Sequence, residues 1–138
     1  MFRSILAFIS LLSAPAFAQE RCPPENGTKF ELLEGAKFDF LTGDYKAFHA
    51  KVSVVISGLD YEKLFNPLIL GAPEGFGACT TVLQRVETGG MVQEVVLFEM
   101  PNGVPLGVYM LVAPVRGELQ FLSFKFSTSI GDVMDELR

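Results

Sequence analysis

The chain has 138 residues, with sixteen acidic and eleven basic side chains, a net charge of −5 and a hydrophobic fraction of 49%. An acidic chain without a basic run argues against nucleic acid and anionic membrane surfaces as partners. The two cysteines, the single histidine and the absence of tryptophan further narrow the chemistry available.

The N-terminus reads as a secretory leader. Arg3 is its positive end, and Ile5 to Leu12 is an apolar run far short of the roughly 20 residues that a spanning helix needs. Pro15 breaks the run, and Ala16-Phe17-Ala18 offers small residues on either side of one bulky one. Cleavage is expected between Ala18 and Gln19, sending the product to the periplasm or the exterior. An uncleaved anchor would need a longer apolar stretch. The first cysteine, Cys22, lies past the cut rather than at it, so a lipoprotein leader is not expected. No later stretch is long and apolar enough for a transmembrane segment. The expected organisation is a leader at 1–18, a tail at 19–28 and one α+β domain at 29–138. Losing Arg3 leaves ten basic against sixteen acidic residues in the mature product, a net charge of −6.

Cys22 and Cys79 form an even pair in a compartment that oxidises thiols, and a structural disulfide is expected. Closing so long a loop is worth about 4 kcal/mol in the chain-entropy picture. Two free redox thiols are the alternative, but the Cys-x-x-Cys spacing typical of them is absent. Asn26-Gly27-Thr28 matches a glycosylation acceptor, without consequence in a bacterial periplasm, to which the leader points.

From Lys29 to about Leu70 the pattern is helical. Phe30, Leu33, Lys37, Phe38 and Leu41 recur at three- and four-residue spacing, so a mostly apolar stripe is expected there. Gly43 interrupts, and Asp44 is placed to cap a helix carrying Tyr45, Phe48 and Val52, with Val55 and Ile56 as further members of that face. The β-branched run from Val52 to Ile56 leaves a strand open as an alternative. Asp60 is placed to cap a short helix, Tyr61 to Phe65, that Pro67 limits. Asn66 to Gly77 then reads as an oily loop that packs over the core or covers a cavity.

After Ala78 the period changes to two. Strands are expected at Ala78–Glu87, Met91–Met100, Pro105–Pro114 and Glu118–Thr128, joined at Gly89-Gly90, Asn102-Gly103 and Arg116-Gly117. Such short connections allow only an antiparallel meander. A short helix capped by Ser129 can follow. Alternation places Val92, Val96, Phe98 and Met100 on one face with Leu106, Val108, Met110, Val112, Leu122, Phe124 and Phe126. The other face is mixed: Gln93, Val95, Leu97, Tyr109, Leu111, Ser123 and Lys125, with Leu119 and Phe121 assigned there too. A half-apolar second face is seldom left wet. It is expected either to meet a second copy as a homodimer or to be covered by the chain's own helices and oily loop.

The stretch Phe40-Leu41-Thr42-Gly43-Asp44-Tyr45-Lys46-Ala47-Phe48 is similar to the helix junction of the nuclear-transport-factor-2-like (cystatin-like) superfold, and the meander Cys79–Thr128 adds to the likeness. The resemblance covers about the whole mature chain. It implies a sheet curled around a pocket and frequent dimerisation through the sheet, but no single chemistry. One strand expected after the helices is replaced here by the Asn66–Gly77 loop.

Catalytic candidates are sparse. Tyr45 and His49 share a helical side, which would suit a hydrolase or isomerase. A lone histidine without a local acid is more often structural. Gly-x-Ser-x-Gly, a phosphate loop and a calcium loop are all absent, one histidine and two cysteines supply a transition metal poorly, and no cofactor is expected. Glu94 and Glu99 are placed on the mixed face or its edge as solvated groups. Arg85 and Lys125 can meet an anion or pair with those glutamates across strands. The expected function is a small exported, non-catalytic binding or interaction module that self-associates through its sheet. A binder of a small apolar molecule is the alternative, in a cone closed by Leu68, Ile69, Leu70 and Phe76 and reached by Tyr45, His49, Tyr109 and Phe121.

Overall fold

A computed structural model describes residues 22–138, so the leader at 1–18 and the first residues of the tail lie outside the described residues. Three helices come first: α1 (Glu31–Thr42), α2 (Tyr45–Val52) and α3 (Tyr61–Gly71). Four strands follow, β1 (Cys79–Val86), β2 (Val92–Glu99), β3 (Pro105–Val115) and β4 (Glu118–Ser127), then a one-turn helix α4 (Ile130–Met134) and a 3₁₀ turn at Asp135–Leu137. The sheet is an antiparallel meander in the order β1-β2-β3-β4. The α+β architecture and the short C-terminal helix are those expected from the periodicity.

Local chemistry explains the helix boundaries. The Asp44 carboxylate accepts a 3.1 Å hydrogen bond from the Ala47 N–H, and that of Asp60 accepts one of 3.1 Å from the Lys63 N–H. Helix α1 ends at Gly43, in the left-handed conformation at φ 72°. Residues 53–60 form a connection rather than the alternative strand, and α2 buries Tyr45, Phe48 and Val52 as its spacing predicted. Within α1 the stripe is rotated from its expected line. Phe38 is exposed, while Phe40 is fully buried with Leu33, Ala36 and Lys37.

Helix α3 is longer than expected. It runs through Pro67 to Gly71, so the Asn66–Gly77 segment is half helix, half loop. Pro67 and Lys63 lie on the solvent side, where water can serve the backbone group that proline leaves unpaired. Burial of Phe65 and Leu68 on the opposite side offsets the loss.

The remaining loop is seated on the α1–α2 junction. Gly75 adopts φ +91°, and a Cβ there would lie 2.2 Å from the Leu41 carbonyl oxygen and 2.6 Å from the Gly43 nitrogen. Only glycine tolerates both the conformation and the approach. Gly75→Ala is therefore expected to cost about 2–3 kcal/mol, read as a lower urea midpoint at unchanged slope.

Helices α1–α3 cover one face of the sheet. Phe40 sits at the middle of that interface, with ring centroids 4.7 Å from Phe48 and 5.1 Å from Phe98. Phe65 is 5.9 Å from Phe126, and Phe48 is 5.8 Å from Phe121. The phenylalanine-rich composition is thus spent on a filled interior.

Both outer strands carry a bulge. In β1 the register slips around Val82, and in β4 around Leu122, so that Leu111 faces Ser123 while Val112 faces Phe121. The second slip corrects the expected faces. Leu119 and Phe121 belong with the core, and Phe121 is buried there, because the extra residue Leu122 reverses the alternation of everything before it.

The opposite face is closed by the C-terminus. Val133 of α4 is fully buried with Val95 and Tyr109, and Leu83, Leu111 and Leu137 pack around them. Gly107 permits this contact, since a Cβ there would stand 3.1 Å from side-chain atoms of Ile130 and Val133. The chain's own tail, rather than the oily loop, covers this centre. Ser129 makes no capping bond to α4, and its N–H is instead held by the Ser127 hydroxyl at 3.0 Å.

Candidate binding surface

The residues expected to form a cone-shaped site are dispersed. Tyr45 is buried and donates to the Ala72 carbonyl at 2.5 Å. Burial first, and the neighbouring Tyr61 second, push its phenol up to about 12. His49 sits at the helix edge, 3.1 Å from the Leu59 carbonyl, with its ring against Tyr61 and Phe65. Tyr45 and His49 therefore each bond to backbone. Leu68 and Phe76 are core residues, whereas Ile69 and Leu70 face outward. Tyr109 lies under the C-terminal helix and accepts a 2.8 Å bond from the Gln93 amide, and Phe121 is in the main core.

One polar cluster escaped the sequence. Lys37 and Glu94 are both buried within the interior, and Glu94 is on the helix-covered face rather than the mixed one. The Lys37 ammonium donates to Glu34 Oε1 at 2.7 Å, Cys22 O at 3.1 Å and Glu94 Oε1 at 3.2 Å. Its three protons thus have three acceptors. Glu94 Oε2 is 2.9 Å from the same nitrogen, an ion contact without hydrogen-bond alignment. Burial raises the Glu94 carboxyl above its ordinary range; Lys37 opposes the shift and Glu34 adds to it. A signal was available. Glu94 alternates in phase with Val92, Val96 and Phe98, and Lys37 falls inside the apolar stripe of α1.

The tail closes this cluster. Cys22 is bonded to Cys79, with Cα atoms 5.7 Å apart, and its carbonyl also accepts 2.6 Å from the Thr81 hydroxyl. Thr28 and the Gln84 amide exchange two bonds, at 2.8 and 2.6 Å. Arg85 and Lys125 also find partners other than those expected. Arg85 donates to the Leu137 carbonyl at 3.2 Å, and Lys125 pairs with Glu136 at 3.2 Å. Both hold the C-terminal segment down.

What remains open is the outer edge of β4. On the helix side a groove of about 340 Å³ runs between Ile56, Leu59 and Leu64 above and Leu122, Phe124 and Phe126 below. Beyond it, a second depression is lined by Val54, Val55, Val115, Arg116, Glu118 and Gln120. Val54, Val55 and Leu122 are exposed large apolar side chains. β4 is thus a ten-residue edge strand bordered by an apolar shelf. Among the described residues, no helix is long and apolar enough to cross a membrane, and no group of three His, Cys, Asp or Glu side chains is placed to hold a metal. Comparison with protein-family models, curated proteins and solved structures gave no match.

Proposed function

We propose that the chain is an exported binding module, working without catalysis, whose surface is the open edge of β4 and the apolar groove beside it. The observation that carries this is the groove between Ile56–Leu64 and Leu122–Phe126. An extended segment laid along β4 would gain main-chain bonds from the edge and place alternate side chains into the groove. Export is supported by the leader pattern and by the Cys22–Cys79 bridge. The resemblance to the cone-shaped superfold stays part of the proposal, supported by three helices packed on one face of a meander.

An apolar fluorescent dye tests the groove. Its emission should rise on binding and fall back in Leu59→Lys, whose far-ultraviolet spectrum should stay that of the wild type. Equal dye binding by the wild type and Leu59→Lys, or none by either, in nanomolar protein where no second copy competes for the groove, would remove this function.

A further inference from the structure

Resting on that assignment of the edge, we propose that its occupant is a second copy of this chain. Two β4 strands would pair antiparallel about a two-fold axis between Phe121 and Leu122, joining two sheets into one of eight strands.

The two edges of the sheet are not equivalent. β1 is fenced by the tail through the disulfide, the Thr81 contact and the paired Thr28–Gln84 bonds. Beside β4 the 54–59 segment lines the edge, but among the described residues no backbone hydrogen bond joins it to the strand. A face-to-face dimer is obstructed because α4 lies across the middle of the second face, with Val133 fully buried there. An edge-to-edge dimer leaves α4 in place.

The bulge sets which registers keep the faces matched. In a regular strand, antiparallel self-pairing keeps faces matched only when paired positions have the same parity. Leu122 reverses the alternation, so in β4 a residue before the bulge matches one of opposite parity after it. The pairing centred between Phe121 and Leu122 meets that condition. Gln120 falls opposite Ser123 of the second copy, both on the α4 side. Leu119 falls opposite Phe124, both on the helix side, where Phe124 lines the groove with Leu59 and Leu64. Glu118 falls opposite Lys125, both on the α4 side, and symmetry makes this pair twice.

A bulge and an edge lysine are also common guards against unwanted pairing. Among the registers that match the faces, this one also sets each charge of the strand against its opposite. That coincidence is charge complementarity of the edge with itself. Lys125 is 42% exposed, so it can face Glu118 of the second copy while staying near Glu136.

Sedimentation equilibrium at micromolar to sub-millimolar concentration tests this on the mature, oxidised chain. The wild type should be a dimer. Leu122→Lys, at an exposed position, should be monomeric with its far-ultraviolet spectrum unchanged. Glu118→Lys and Lys125→Glu should each weaken association about tenfold, from two lost attractions and two new repulsions. The double exchange Glu118→Lys/Lys125→Glu should restore it. A wild type that stays monomeric overturns the proposal, as does a dimer indifferent to Leu122→Lys or a double exchange no better than the single ones. In the monomeric case, dye binding that remains sensitive to Leu59→Lys leaves the binding module standing and removes only its occupant.

Discussion

Lys37→Met is expected to destabilise the fold by about 3–5 kcal/mol at neutral pH, the usual cost of stranding one member of a buried ion pair. Methionine fills much of the same volume, so the loss comes from Glu94, which stays buried without its cation. The pH dependence identifies the cause. Burial already raises the Glu94 carboxyl in the native protein. The folded state then keeps a proton at pH values where the unfolded chain has released it. The stability associated with Glu94 is therefore full below the ordinary carboxylate range and is lost as pH rises through the folded value. Removing Lys37 takes away the main opposing influence and raises that value further. The deficit of Lys37→Met should shrink on acidification and widen toward neutrality, in urea midpoints measured across that interval. Lys37→Met/Glu94→Gln should recover most of the loss, since no charge is left buried between them. A deficit equal at all pH values, or a double variant with additive losses, would show that Lys37 acts by packing alone.

The same residue shows how far the sequence can be read. The meander was legible because its turns carry Gly-Gly, Asn-Gly and Arg-Gly between alternating runs, and such connections leave one topology. The caps were legible because Asp44 and Asp60 act within one turn of their own helices. Glu94 was legible in principle: period two puts it between Val92 and Val96, and only the general preference of glutamate for water argued otherwise. What compensated that preference, Lys37, lies 57 positions earlier, beyond any local pattern. The face of Phe121 was hidden for a different reason. A bulge changes parity without a residue that announces it, since Leu122 suits either face. The continuation of α3 past Pro67 likewise depends on which side of the helix meets solvent, which tertiary packing decides. The candidate site followed the same rule. Tyr45 and His49 share one helix, as their spacing predicts, but their bonds go to the Ala72 and Leu59 carbonyls, contacts supplied by other segments.

Cys22→Ser/Cys79→Ser is expected to lower stability by about 2–5 kcal/mol. The bridge joins the tail to the first residue of β1 across a sequence separation of 57, so its removal returns considerable freedom to the unfolded chain. A second contribution comes from the native state. The Cys22 carbonyl is one of the three acceptors around Lys37 and also holds the Thr81 hydroxyl. A tail that detaches takes this acceptor away and admits water to Glu94. The two effects separate in a double-mutant cycle. If the bridge acts only on the unfolded chain, its loss and Lys37→Met should add within about 0.5 kcal/mol. If the tail also completes the buried ion cluster, the losses should fall short of additivity by about 1 kcal/mol or more, because Lys37→Met has already removed what the carbonyl serves. The second outcome is expected, since the carbonyl, the ammonium and both carboxylates form one connected network. Strict additivity would mean that the tail covers Lys37 without contributing to its solvation.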